Sequence, residues 1–211
     1  MKNICIVGCG WVGTALAANL QKRYTTICID KEYKLQKKEL ANCSCIVISI
    51  PAKNINQQTL EELFKYINKD AQIIYYSSIS FYKQKEPIVN AEELIKKYSS
   101  NAVILRLGGL MGYDRIAGKQ TAKKTIKDAI SNYIHQDDVV AITKFIIEQN
   151  INNKTLDLVA PKQALKSTIF ANNAKKFGFA LTNFVGYEDS KKLSLNLSYN
   201  FIKEDVLEFW K

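Results

Sequence analysis

The hydrophobic residues of this chain follow two alternating patterns: compact apolar runs, and segments with an apolar residue every three or four positions. The runs predict β-strands at 4–7, 25–29, 45–50, 72–76, 102–107 and 155–159. The periodic segments predict helices at 14–20, 33–40, 56–67, 91–98, 137–148 and 164–177. Because strands and helices alternate, we expect an α/β protein of the Rossmann type, a doubly wound parallel sheet with helices on both faces.

The connection between the second and third predicted strands, residues 31–42, is short. A dinucleotide-binding sheet normally places a helix, an outer strand and a second helix at this point. A single parallel crossover already needs about a dozen residues. The sequence therefore predicts that the outer strand is missing and that the strand at 25–29 forms an edge of the sheet.

The length of 211 residues suits one compact unit with a substantial hydrophobic core. We expect a sheet domain over residues 1–160 and a small C-terminal cap over residues 161–211, completed by the alternating Leu193, Leu195 and Leu197. No apolar run reaches the length of about 18 residues that a membrane-spanning helix requires. We therefore expect a cytoplasmic protein with no membrane partner.

All five cysteines lie in the first 45 residues, on or beside predicted strands: Cys5, Cys9, Cys28, Cys43 and Cys45. The number is odd, there is no C-x-x-C pair, and the chain has one histidine. These features favour free, mostly buried thiols over a disulfide framework, and they predict no metal site. Cys9 lies within a glycine-rich turn, where oxidants could reach it.

The net charge of +10 raises the question of a nucleic-acid partner. The excess of lysine and arginine is spread along the chain, whereas nucleic-acid binding favours a concentrated basic patch interleaved with aromatic residues. We expect no nucleic-acid binding. A lysine-rich solvated surface, with a local basic rim for an anionic small-molecule substrate, fits the pattern better.

The clearest chemical signal is the sequence from Gly8 to Gly13, a G-x-G-x-x-G pattern where a predicted strand passes into a helix. Gly8 permits the tight turn, Gly10 lets the backbone approach a pyrophosphate, and Gly13 lets the helix pack closely on the strand. The helix N-terminus supplies N–H groups for the anion. Asp30 ends the second strand, at the spacing of the acid that binds the adenosine ribose, and its charge favours NAD over NADP.

Three further segments follow in order: the serine loop Ser77-Ser78-Ile79-Ser80-Phe81-Tyr82, the glycine loop Arg106–Arg115, and Asn132–Asp138. Together with the glycine turn they resemble the extended short-chain dehydrogenases/reductases, the NAD-dependent epimerase/dehydratase family. Pro51 after the third predicted strand, and residues 117–119, resemble an atypical bacterial branch described as nucleoside-diphosphate-sugar epimerases. The likeness extends over residues 1–140 and is thin after residue 165.

The resemblance implies a role for each matching position. The cofactor-binding residues would be Gly8, Gly10, Trp11, Val12, Gly13, Asp30, Pro51, Gly108 and Gly109. Ser78 matches the active-site serine that hydrogen-bonds the substrate oxygen, and Gly108–Gly112 would lie beside it near the nicotinamide. Arg115 matches a region that holds the pyrophosphate of a sugar nucleotide, or else it lies on a solvated loop. His135 contacts substrate or orders the loop before its helix.

One family feature is missing. The helix after the serine loop normally carries a Tyr-x-x-x-Lys pair, in which the tyrosine transfers a proton, and this helix contains no such pair. Tyr82 is a candidate replacement. The favoured function is epimerase, dehydratase or reductase chemistry at a hydroxyl or carbonyl carbon, with a sugar nucleotide as one possible substrate. The alternative is a non-catalytic NAD(H)-binding regulator that acts through a protein partner. Either a monomer or a homodimer is compatible with the sequence.

Overall fold

A computed structural model describes residues 2–30 and 37–208 of the chain. The strands are β1 Asn3–Val7, β2 Thr25–Ile29, β3 Cys45–Ile48, β4 Gln72–Ser78, β5 Val103–Leu107, β6 Gly109–Met111, β7 Thr125–Asp128, β8 Tyr133–His135, β9 Lys154–Leu158 and β10 Asn183–Tyr187. The helices are α1 Trp11–Leu20, α2 Lys37–Ala41, α3 Gln57–Phe64, α4 Glu86–Tyr98, α5 Gln136–Glu148 and α6 Lys166–Phe177. In this part of the chain no helix is long and apolar enough to span a membrane.

Six strands form the central sheet, in the order β2-β1-β3-β4-β5-β9. β1 pairs in parallel with β2 and β3, and β3 pairs in parallel with β4. The Rossmann-type α/β fold is therefore confirmed. β2 lies at the edge of the sheet, and no outer strand is present between β2 and β3 among the described residues. The first part of the helix predicted at 33–40 lies outside the described residues.

The chain divides into two compact units. The first comprises residues 1–106 and 140–156, and the second comprises residues 107–139 and 157–211. In the first unit, alternate strand residues such as Cys5, Ile46 and Tyr75 share a buried core with Leu60 of α3 and Ile95 of α4. The alternation follows from the two-residue period of a strand. The boundary predicted at residue 160 stays a prediction.

Helix α4 begins at Glu86, five residues before its predicted start at 91. Pro87 lies in the first turn, where its fixed φ suits a helix and its missing N–H is not needed. The first turn, residues 86–90, is exposed or half-buried and contributes two apolar residues, Ile88 and Val89, so its hydrophobic pattern is weaker than that of the buried positions that follow. The predicted start was wrong for this reason.

The second unit contains two small parallel sheets, β6 with β8 and β7 with β10. Its core includes Met111, Phe170 and Val206. Leu193 is buried, and the alternate positions Leu195 and Leu197 are half-buried, in a segment that forms no regular strand. Strands β6, β7, β8 and β10 were not predicted: β6 and β8 have three residues each, and β7 and β10 contain no buried residue, so none forms an apolar run.

The C-terminal segment of the second unit is held by Asp138, which is fully buried in the first turn of α5. The backbone N–H groups of Ile202 and Lys203 donate to its carboxylate at 2.7 and 3.0 Å, and the Tyr199 hydroxyl donates at 3.3 Å. A buried carboxylate needs such donors to offset its desolvation. Asp138 is therefore a structural residue that joins distant parts of the unit.

Candidate dinucleotide site and associated clusters

The glycine turn joins β1 to α1 as predicted. Gly8 has φ +99°, a value that favours glycine, and its N–H donates to the Ile29 carbonyl at 2.7 Å. Gly10 is the N-cap of α1, and no side chain caps the helix there. The Thr14 hydroxyl donates to the Cys9 carbonyl at 2.9 Å, and this bond joins the glycine turn to the first turn of α1. The uncapped N-terminus of a ten-residue helix thus forms a site suited to an anion.

The three glycines of the turn differ in their surroundings. A Cβ on Gly8 would lie 2.7 Å from the Ile50 side chain, and one on Gly13 would collide with the Gly8 carbonyl oxygen. These two glycines are required by packing within the first unit. A Cβ on Gly10 would have nothing within 4 Å. The protein itself therefore does not require glycine at position 10, and the open space above it fits the approach of a pyrophosphate.

Asp30 is exposed at the end of β2. The hydrogen bond from Gly8 to the carbonyl of the preceding Ile29 brings the end of β2 to the glycine turn. Pro51 follows β3 at the same edge of the sheet, where the Ser49 N–H donates to the Val7 carbonyl at 2.8 Å. The residues present therefore fit a dinucleotide, because the glycine turn, the helix N-terminus and the carboxylate predicted to bind the ribose all lie at the end of β1 and β2. The individual roles of Trp11, Val12 and Pro51 remain predictions.

The expectation of five free thiols is wrong. Cys9 and Cys28 form a disulfide with their Cα atoms 5.8 Å apart, and Cys5, Cys43 and Cys45 are free and buried. Sequence spacing could not reveal the pair, because the parallel pairing of β1 with β2 is what brings the two residues together. Among the described residues, no cluster of histidine, cysteine and carboxylate side chains could hold a metal ion.

Ser78 ends β4, and its hydroxyl oxygen accepts a hydrogen bond from the Ser80 N–H at 3.1 Å. The hydroxyl proton remains for donation to another group. Tyr82 follows in the same loop and is 47% exposed, with the Arg106 guanidinium 5.1 Å from its ring.

A buried ion pair supports the serine loop, and sequence analysis missed it. Arg106 of β5 donates to both carboxylate oxygens of Glu92, from Nε at 2.9 Å and from Nη2 at 2.8 Å. The Ser77 hydroxyl donates to Glu92 at 2.6 Å, and the Phe81 ring lies 3.5 Å from the guanidinium carbon. Glu92 is 1% exposed. One feature of the sequence could have indicated the ion pair: Glu92 lies on the same face of α4 as the apolar Ala91 and Ile95, so its carboxylate is buried and needs a partner.

Ser78 belongs to the first unit, and the glycine loop belongs to the second. Gly109 starts β6, its N–H donates to the Asn132 carbonyl at 2.7 Å, and a Cβ there would collide with the Tyr133 ring. A Cβ on Gly108 would likewise collide with the Asn132 carbonyl. Packing within the unit therefore already explains both glycines. Their contact with a cofactor remains a prediction.

The ring of His135 is buried, 1% exposed, and lies against Gly112. The Asp137 N–H donates to His135 Nδ1 at 3.1 Å, so this nitrogen acts as an acceptor. Burial lowers the pKa of His135, although the nearby Asp137 carboxylate opposes the shift. This contact supports the interpretation of His135 as an ordering residue at the start of α5.

We expect the free energy of unfolding to fall as the pH decreases below about 6.5. The unfolded chain binds a proton there more readily than the folded chain, because burial lowers the folded-state pKa of His135. His135 is the single histidine of the chain, so few other groups titrate in this range. Urea unfolding at pH 5.5, 6.5 and 7.5 measures the effect, and His135→Gln should flatten the profile. An equal slope in the variant would contradict the assignment.

Arg115 lines a cavity of about 750 Å³ in the second unit. The exposed side chains of Arg115 and Lys119 give its rim a positive charge, while Asp114 contributes one negative charge. Leu110, Tyr133 and Phe170 provide apolar walls. A cavity of this volume is of the size that small-molecule ligands occupy. Lys123, Lys124 and Lys127 are exposed and do not line it.

No family model matches the chain. Among curated proteins, the chain is similar to Protein YeeZ of Escherichia coli strain K12. The two are 23% identical over 246 aligned positions, which cover 91% of this chain and 90% of YeeZ.

Several solved structures share the fold. A Methylobacillus flagellatus protein assigned as an NAD-dependent epimerase/dehydratase gives a TM-score of 0.76 at 19% identity, covering 97% of this chain and 94% of its own. UDP-glucuronic acid 4-epimerase from Bacillus cereus, in complex with NAD, gives 0.67 at 18% identity, covering 89% and 88%. Human epimerase family protein SDR39U1 with NADPH gives 0.63 at 14% identity, covering 88% and 83%. The chain therefore has the fold of the NAD-dependent epimerases/dehydratases, the extended short-chain dehydrogenases/reductases.

Proposed function

We propose that this protein binds a nicotinamide dinucleotide and carries out epimerase, dehydratase or reductase chemistry at a hydroxyl- or carbonyl-bearing carbon. The observation that carries the binding proposal is the open space at Gly10 above the uncapped N-terminus of α1. Gly8 and Gly13 shape the turn, and the Asp30 carboxylate would accept hydrogen bonds from the adenosine ribose. Structures with this fold hold NAD in one case and NADPH in another. Asp30 favours NAD because it would repel a 2′-phosphate.

The bound nicotinamide would supply a hydride acceptor and donor. The chain supplies the groups around it: the Ser78 hydroxyl would donate to the substrate oxygen, and Tyr82 is proposed to move the proton. The Arg106–Glu92 pair and the Phe81 ring hold the serine loop that carries both residues.

The substrate proposal is an anionic small molecule, with a sugar nucleotide as the specific candidate. It is supported by the cavity beside Arg115 and Lys119, whose volume suits a small ligand and whose rim is cationic. An arginine can hold a phosphate with two parallel hydrogen bonds. The solved UDP-glucuronic acid 4-epimerase that shares the fold acts on a sugar nucleotide. We propose a monomer or homodimer located in the cytoplasm.

Gly10→Ala is expected to weaken NADH binding by about tenfold while changing the free energy of unfolding by less than about 1 kcal/mol. Apart from the two neighbouring residues of the chain, no protein atom lies within 4 Å of the added methyl group. A loss of NADH affinity would therefore come from contact between this methyl group and the ligand. Energy transfer from Trp11 to NADH measures binding, and Trp210→Phe removes the second tryptophan from the signal. We expect NADH to bind more tightly than NADPH. Equal NADH affinity in Gly10→Ala and the parent would contradict the proposed position of the dinucleotide.

A non-catalytic NAD(H)-binding regulator is the second candidate, favoured because α4 lacks a Tyr-x-x-x-Lys pair. A positioned general acid/base contributes roughly 10²–10⁴ in rate, so its loss is substantial. Incubation with NADH and a panel of carbonyl compounds and sugar nucleotides separates the two candidates. Turnover that disappears in Ser78→Ala supports the enzyme. NADH binding without turnover of any compound supports the regulator.

A further inference from the structure

We propose that Cys9 and Cys28 are a site of reversible thiol–disulfide exchange that controls the affinity of the glycine turn for a dinucleotide. The control of affinity rests on the proposed function; the exchange site itself does not. Cys9 lies between Gly8 and Gly10 of the turn, and Cys28 lies two residues before Asp30 on β2. The disulfide therefore links the proposed pyrophosphate segment to the strand that carries the proposed ribose acid.

Exposure separates these two cysteines from the other three. Cys9 and Cys28 are half-buried, whereas Cys5, Cys43 and Cys45 are buried. Thiol–disulfide exchange requires that a thiolate reach a sulfur atom, so access selects the sites that react. The bonded pair is thus the more exposed part of the cysteine set and the part at which exchange is expected.

The sheet does not depend on the disulfide. β1 and β2 are paired along their whole length, from Asn3 with Thr25 to Val7 with Ile29. The Gly8 N–H adds a hydrogen bond to Ile29 at 2.7 Å. Opening the disulfide would therefore leave the edge of the sheet in place and change the turn locally.

The conformation of the glycine turn depends on the disulfide because Cys9 has a glycine on each side. Glycine has the largest conformational freedom of any residue, and Gly8 already adopts a left-handed φ of +99°. With the disulfide closed, the segment is held before the ligand arrives. With it open, binding must order the segment, and that cost weakens the affinity.

The chemistry balances with a dithiol as reductant. One thiolate of the dithiol attacks a sulfur of the Cys9–Cys28 bond, forms a mixed disulfide and releases the other cysteine as a thiolate. The second thiol of the reductant then attacks the mixed disulfide and releases the remaining cysteine. Two electrons and two protons pass to the cysteines, and the dithiol becomes a cyclic disulfide. An oxidised dithiol reverses the reaction.

The test compares protein treated with oxidised and with reduced dithiothreitol, each removed before measurement. Alkylation after denaturation, counted by mass spectrometry, should label three cysteines in the oxidised protein and five in the reduced protein. Reduction should raise the Kd for NADH about three- to tenfold, and reoxidation should restore it. Cys9→Ser/Cys28→Ser should bind like the reduced protein in both conditions, whereas Cys45→Ala should keep the response.

Five labelled cysteines after treatment with oxidised dithiothreitol would overturn the exchange site. Three and five labelled cysteines with the same Kd would overturn the control of affinity and leave the proposed function intact. Failure of both forms to bind NADH would overturn the proposed function together with the control of affinity. In that case, three alkylated cysteines in the oxidised protein and five in the reduced protein would still support the exchange site.

Discussion

Glu92→Ala should lower the free energy of unfolding by about 3–5 kcal/mol, the cost typical of removing one partner of a buried ion pair. The substitution leaves the Arg106 guanidinium, in a residue 8% exposed, without its carboxylate partner. It also removes the acceptor of the Ser77 hydroxyl. Urea unfolding followed by circular dichroism measures the loss.

Glu93→Ala provides a matched control, because Glu93 is the exposed neighbour of Glu92 on the same helix. It should change the free energy of unfolding by no more than about 0.5 kcal/mol. The double variant Glu92→Ala/Arg106→Met should recover part of the stability, since it removes the isolated charge as well. Equal losses in Glu92→Ala and Glu93→Ala would show that the ion pair contributes little.

Gly13→Ala is expected to reduce stability by about 1–3 kcal/mol and to weaken NADH binding by more than about tenfold. Alanine is about 1 kcal/mol better than glycine within a helix, so any net loss measures the clash and not the helix propensity. The new methyl would collide with the Gly8 carbonyl oxygen, which is a backbone atom and cannot turn aside as a side chain could. The turn must open, and the anion site opens with it.

Gly10→Ala is the comparison for this variant, because a Cβ at position 10 meets nothing. Thermal unfolding and NADH titration of the two variants separate the roles of the glycines. Gly13→Ala should lose stability and binding together, while Gly10→Ala should lose binding alone. A Gly13→Ala protein that unfolds at the parent temperature would contradict the packing described here.

The features that could be predicted are those that depend on residues close together in the sequence. The glycine turn, its position between β1 and α1, and the edge position of β2 all followed from spacing and from the length of one connection. A strand needs a minimum length and a crossover a minimum number of residues, so these constraints act within a short window of sequence. The same window contains Asp30, which lies at the end of β2 as expected.

The features that could not be predicted join residues far apart in the sequence. Cys9 meets Cys28 because the pairing of β1 with β2, extended by the hydrogen bond from Gly8 to Ile29, brings the turn after β1 to the end of β2. Glu92 meets Arg106 and Ser77 because α4 packs near β4 and β5. Asp138 accepts hydrogen bonds from the backbone of residues 202 and 203, more than 60 positions further along the chain. The contact of the Tyr133 ring with Gly109 joins residues 24 positions apart, and it too could not be predicted.

Residue patterns alone were sufficient for the alternation of strands and helices, the glycine turn between β1 and α1, and the lack of a Tyr-x-x-x-Lys pair on α4. Each of these features depends on residues within one short segment, so it can be recognised without knowing how distant segments pack. The disulfide, the buried ion pair beneath the serine loop and the cationic cavity at Arg115 arise only when distant segments pack together. The disulfide joins residues 19 positions apart and the ion pair joins residues 14 positions apart. Both separations exceed the span of a local pattern, so only the folded chain determines which groups meet.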